Sequence, residues 1–304
     1  MIVRPQENWL RMLLVWHGSV LPSVLPQLLL VLLISLGALY DDGRLLGTHV
    51  HLDTAPFSLL GISLAIFLAF RNNASYQRYV EARQLWGNIL ISSRSLTSQV
   101  LTSLPEGRID HAAFARQMQA FVRLARHQLR NSDPRPDLDG LLPPEQVEKL
   151  AAGSYRPILV LKQLRRTLNQ AAQDLPHGGQ LMQMFDTQLN NLGNAMGGCE
   201  RIASTPIPYP YGVLLHRTVY AYCFLLPFGL QHAIGSGTPL ISVLVAYTLF
   251  ALEAIAQEIA EPFGEAPNSL ALNAISRNIE RSVLELCELP LPAELKADSK
   301  YRLD

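Results

Sequence analysis

The chain of 304 residues carries 25 basic and 25 acidic side chains, so its formal net charge is zero, and charged residues make up 16% against 49% apolar ones. That balance argues for a membrane protein with a large aqueous part. Cys199, Cys223 and Cys287 lie far apart, which excludes a disulfide framework or a cysteine metal site; they are read as free thiols, with no metal, cofactor or redox chemistry expected.

Residues 1–17, with Arg4, Arg11, Trp9 and Trp16, suit a short amphipathic helix lying on a membrane surface. No charge occurs from Gly18 to Tyr40, which predicts a first span over about 20–40, its regular part shortened by Pro22 and Pro26. The apolar run starts too late for a signal peptide, and no small-x-small cleavage site precedes Asp41. The link from Asp41 to Asp53 holds three aspartates, Arg44, His49 and His51.

Between Pro56 and Pro105 nothing forbids a helix, and only Gly61 and Gly87 weaken it; the spacing predicts one long helix, with Asn72-Asn73 as a candidate kink. Its first third is uncharged and its remainder is charged and amphipathic. At 1.5 Å per residue such a helix reaches roughly 75 Å, against ~30 Å of hydrocarbon, so a second span over 56–72 continues into water. Arg4 and Arg11 before the hairpin, and Arg71, Arg78, Arg83 and Arg94 after it, put the N-terminus and the region after residue 71 in the cytoplasm.

From Glu106 to Arg201 the chain is polar. Phe114, Met118, Phe121, Val122, Ala125 and Leu129 repeat at helical spacing, with Arg116, Arg123, Arg126 and Arg130 between them, read as a solvated face because no aromatic interleaving suggests nucleic acid. Further helices are predicted over about 145–152, 157–173 and 180–200. Between Ile202 and Leu252 His216, Arg217 and His232 stand in an otherwise apolar run, which fits spans over 213–231 and 239–257 joined by a turn from His232 to Thr238; Arg217 is read as snorkelling to headgroups. An acidic stretch with Glu258, Glu261 and Glu265 follows, then a helix carrying Leu272, Ile275, Ile279, Val283 and Leu286. No strand pattern appears. The expected fold is therefore an all-α membrane protein with four transmembrane helices, one unit over 1–304, whose cytosolic helical region covers about 73–205 and 258–304.

Ile62, Ile66 and Phe70 fall at i, i+4, i+8 on one helix face, interleaved with Gly61, Ser63, Ala65 and Ala69. Spacing alone fits core or lipid contact as well as a functional stripe. The segment that follows, Phe70-Arg71-Asn72-Asn73-Ala74 through Tyr79-Val80-Glu81-Ala82-Arg83, resembles the signature of the bestrophin family in its bacterial form. Gly198-Cys199-Glu200-Arg201 through Thr205-Pro206-Ile207-Pro208 and Glu261-Pro262-Phe263-Gly264-Glu265 extend the resemblance over nearly the whole chain.

The resemblance implies a homopentameric ion channel whose second helix lines the pore, with Ile62, Ile66 and Phe70 at the neck positions and a cytosolic aperture at Gln180 or, one residue on, Leu181. It implies a multi-pass protein of the bacterial inner membrane with both termini cytoplasmic, whose partners are monovalent ions, the lipid bilayer and further copies of itself, with no nucleic acid. Where vertebrate members hold calcium, this chain reads Glu265-Ala266-Pro267-Asn268-Ser269, which lacks most of the hard oxygen ligands calcium requires. Calcium-independent, cation-selective conduction is the expectation, with an anion (chloride) channel as the alternative. A membrane-anchored scaffold or sensor is the competing class. Scattered histidines and glutamates without a nucleophile–base pair argue against an enzyme.

Overall fold

The computed structural model describes all residues except 6–7, 14, 41–43, 46–47 and 50–53. In chain order the elements are α1 (Trp9–Leu13), α2 (Leu21–Tyr40), the strands β1 (Arg44–Leu45) and β2 (Thr48–His49), α3 (Thr54–Ser103), α4 (His111–Leu129), α5 (Arg135–Leu138) and α6 (Pro144–Ala151). They continue with α7 (Arg156–Ala172), α8 (Gly178–Ser204), α9 (Tyr209–Ile234), α10 (Thr238–Ala260) and α11 (Leu272–Leu286). Among the described residues the regular structure is helical apart from a two-residue antiparallel ladder, β1 with β2, and an isolated bridge, both too short to leave an alternation in the sequence. The aspartates at 41, 42 and 53 and His51 lie outside the described residues.

By contact the chain falls into two compact units: one of residues 1–3, 80–205 and 263–304, the other of residues 4–79 and 206–262. In the second unit α2, α9 and α10 pack on one another. Val31, Leu64, Leu68, Val219, Cys223 and Phe250 lie in its shared core. If this unit sits in lipid, burying leucine gains little, because acyl chains are as apolar as the core, and close approach of backbones carries the packing instead. Gly61 is such a point: a Cβ there would stand 2.8 Å from the Tyr222 hydroxyl. Helix α9 continues to Ile234, past the expected end of its span, and only the 3-10 turn Gly235–Gly237 separates it from α10. Gly235 takes φ +55°, which a side chain would resist.

The first unit has a helical core of its own. Asp110 caps α4, its carboxylate accepting from Ala112 N at 2.8 Å and Ala113 N at 3.2 Å, a contribution of about 1 kcal/mol. Phe114, Met118 and Phe121 are fully buried along α4, which packs on α7 and α11. Each such side chain contributes about 1.5–3 kcal/mol through the water it leaves.

The arginines of α4 are not a solvated face, contrary to the reading above. Arg123 pairs bidentately with buried Glu280 (2.7 and 3.2 Å), Arg126 with Asp137, and Arg130 bidentately with Asp304 (2.6 and 3.2 Å). Arg116 alone of the four is largely solvated, 3.9 Å from Asp110. Glu280 and Asp304 lie more than a hundred residues away in sequence, so periodicity along α4 could not reveal them.

The N-terminal helix is also shorter than expected. Among the described residues of this segment only Trp9–Leu13 is helical, and Ile2 instead forms a bridge with Arg302, with Val3 N donating to Tyr301 O at 2.9 Å. Proline at position 5 offers no backbone N–H, which disfavours helix continuing through it.

Candidate functional site

Helix α3 runs unbroken for 50 residues, through Asn72-Asn73, where the Asn72 amide donates to Leu68 O at 2.9 Å. At about 100° per residue, positions 64 and 68 point roughly opposite to 62 and 66. Leu64 and Leu68 are fully buried in their unit, whereas Ile62, Ile66 and Phe70 are 61%, 51% and 63% exposed. The helix thus has two apolar faces, one packed and one open. In water an open stripe of three bulky apolar side chains is unfavourable, so it belongs against lipid, another chain or a narrow pore.

One residue beyond Phe70 the chemistry changes. Arg71 reaches Glu253 on α10 (3.5 Å), and His216 Nδ1 lies 2.8 Å from the same oxygen, Glu253 Oε1. Glu253 is only 6% exposed, so burying its charge requires these partners. The three line a cavity of about 640 Å³, with Pro206, Pro208 and Glu261. Two turns on, Arg78 Nε donates to Ala260 O at 3.0 Å. Glu253 is therefore not a free carboxylate. Sequence reasoning missed this cluster, although a glutamate flanked by apolar residues at the end of a span is itself a signal of a paired or functional charge.

The neck candidates lie in one compact unit and the aperture candidates in the other. Gln180 is exposed and Leu181 half-buried in the first turn of α8. Gly178 starts that helix with a Cβ position only 2.2 Å from Ala172 O, so the turn into α8 admits no side chain there. Two of the signature segments meet in the same unit, where Arg201 pairs with Glu81. Burial pushes the Cys199 thiol up to about 12 and Cys287 up to about 11, which keeps both protonated and unreactive. In the segment after Phe263, Glu265 gives its carbonyl to Arg302 (2.8 Å), and Ser269 N donates to Ala266 O (3.0 Å).

Comparison with known proteins identifies the class. The family model described as bacterial/fungal bestrophin protein matches residues 1–285, and the chain belongs to the bestrophin family. It is 47% identical over 307 residues to a voltage-dependent anion channel-forming protein of Ralstonia nicotianae, covering 100% of both chains. A protein of the same description from Escherichia coli strain K12 is 41% identical over 308 residues, again with 100% of both chains covered. The crystal structure of a bacterial bestrophin homologue from Klebsiella pneumoniae matches with TM-score 0.83 at 40% identity, covering 88% of this chain and 99% of that one. Among the described residues three stretches, Leu21–Tyr40, Ala55–Ser103 and Tyr209–Ala260, are long and apolar enough to cross a membrane, the last comprising α9 and α10. With the family, they make this a membrane protein.

Proposed function

We propose that the chain forms a channel for monovalent ions in the bacterial inner membrane. Four spans, α2, the apolar part of α3, α9 and α10, would cross the bilayer with both termini cytoplasmic, and the whole chain would act as one bestrophin-like unit in a homopentamer. The observation that carries the reading is the open face of α3: Ile62, Ile66 and Phe70 stand exposed opposite the packed Leu64 and Leu68. Around a symmetry axis these side chains would form rings that replace none of an ion's hydration, the property of a gate that works by dewetting. Gln180 or Leu181 would form a second constriction. Family membership favours a channel over an enzyme, and the Ala266-Pro267-Asn268-Ser269 run supports conduction without calcium.

The permeant charge has two readings. Anions fit the relatives better, since the names of the Ralstonia and Escherichia proteins say anion, and the expected cation preference gains nothing from those names. One observation favours cations: Arg71 and Arg78, the first two basic residues after the stripe, are tied to Glu253 and to a backbone carbonyl. Glu253 is tied in the same network, however, so this part of the chain offers little unbalanced field of either sign. Reversal potentials of the purified protein in bilayers under a potassium chloride gradient decide. A value near the chloride equilibrium potential gives the anion channel, one near that of potassium the cation channel, and no current at any voltage leaves the scaffold reading.

A further inference from the structure

A second cavity, of about 460 Å³, opens in the unit of residues 1–3, 80–205 and 263–304, between α3, α11 and the C-terminal tail. The charged side chains of its lining are Arg83 from α3, Arg277 and Arg281 from α11, and Glu294 from the tail. Leu90, Ile275, Leu295 and Leu303 supply an apolar wall. Three guanidiniums face one carboxylate.

The local ion pairs do not balance this charge. Arg277 and Arg281 are one turn apart on the same helix, a like-charge spacing that is unfavourable by itself. The carboxylate nearest Arg277, Glu280 at 3.8 Å, is already held bidentately by Arg123 at 2.7 Å. Arg281 has only a neutral partner, the Pro292 carbonyl, and Arg83 has none among the described residues. The first cavity, lined by Arg71, Arg217, Glu253 and Glu261, has two acids for two arginines and lacks this excess.

We propose that this cavity binds a small organic anion with an apolar body: a carboxylate held by Arg83, Arg277 and Arg281, its hydrocarbon part against Leu90, Ile275 and Leu295. Guanidiniums pair with carboxylates through short charge-assisted bonds, and the volume lies within the range of small-molecule sites. A bound anion would also tie the tail and α11 to α3. The site is independent of which ion the protein conducts.

Isothermal titration of the full-length detergent-solubilised protein with 3-phenylpropionate tests it, against acetate and 3-phenylpropanol at equal concentrations. Saturable binding of 3-phenylpropionate is expected, with neither control matching it. Arg83→Gln, at an exposed position with no partner to lose, should weaken binding about tenfold, the loss of one charge-assisted hydrogen bond. Leu90→Trp, which fills the apolar wall, should abolish it. The proposal is overturned by the absence of saturable heat, by an unchanged affinity in both variants, or by equal binding of either control.

Discussion

His127 sits in α4 with its ring 2.7 Å from Ser132 Oγ through Nδ1 and 2.8 Å from Asp137 Oδ2 through Nε2. A neutral ring protonated at Nε2 satisfies both, donating to Asp137 and accepting from the serine hydroxyl. Burial first, then the guanidiniums of Arg126 and Arg156, push its pKa from 6.5 down to about 4. The carboxylate of Asp133 pulls the other way, and Arg130 adds to the lowering. Between those two values the unfolded chain binds a proton that the folded chain refuses, so stability rises with pH across this window. The contribution is complete above about 6.5 and lost as pH falls towards 4. Urea unfolding followed at pH 7 and pH 4 should lose on the order of 2 kcal/mol through this residue. His127→Gln should remove that part of the pH dependence, and an unchanged slope in the variant would mean that other groups drive it.

Helices α3 and α9 meet where Gly61 faces Tyr222 and Phe57 lies over Gly229, the Phe57 and Tyr222 rings 6.1 Å apart. Gly61→Ala forces the tyrosine hydroxyl to move and should cost about 1–3 kcal/mol, the range for an overpacked core. Tyr222→Phe removes the atom in conflict, since the next contact is the ring carbon at 3.4 Å. The double variant should therefore recover most of the thermal stability lost in Gly61→Ala, and no recovery would place the cost in the helix backbone instead. At this scale the sequence is informative wherever local signals act. Prolines at 56 and 105 lie within two residues of the ends of α3, and long, largely apolar runs located α2, α9 and α10. It is uninformative wherever a partner lies far along the chain. Arg123 and Arg130 of α4, read as solvated, are paired with Glu280 and Asp304 more than a hundred residues on, and the start of the chain bridges to Arg302 because residues hundreds apart meet there.

For the whole molecule, the stripe of Ile62, Ile66 and Phe70 was legible as a helix face but not as a pore, because the same spacing serves core, lipid and neck. Exposure narrows this: the stripe is not core within one chain, while Leu64 and Leu68 on the other face are. What turns the stripe into a constriction is a ring of copies, a property of the assembly that one chain's periodicity cannot encode. If the ring forms, the barrier to ions there is the cost of wetting an apolar throat, and it falls as the side chains shrink. Ile66→Ala removes bulk from every subunit at once, and lowering the barrier by on the order of 1 kcal/mol would raise flux about fivefold. Ile66→Leu keeps the volume and should leave the current near its parent value. Single-channel recordings in planar bilayers distinguish the cases. Equal currents from Ile66→Ala and the parent would assign the exposed face to lipid or subunit contact, and move the constriction elsewhere on the chain.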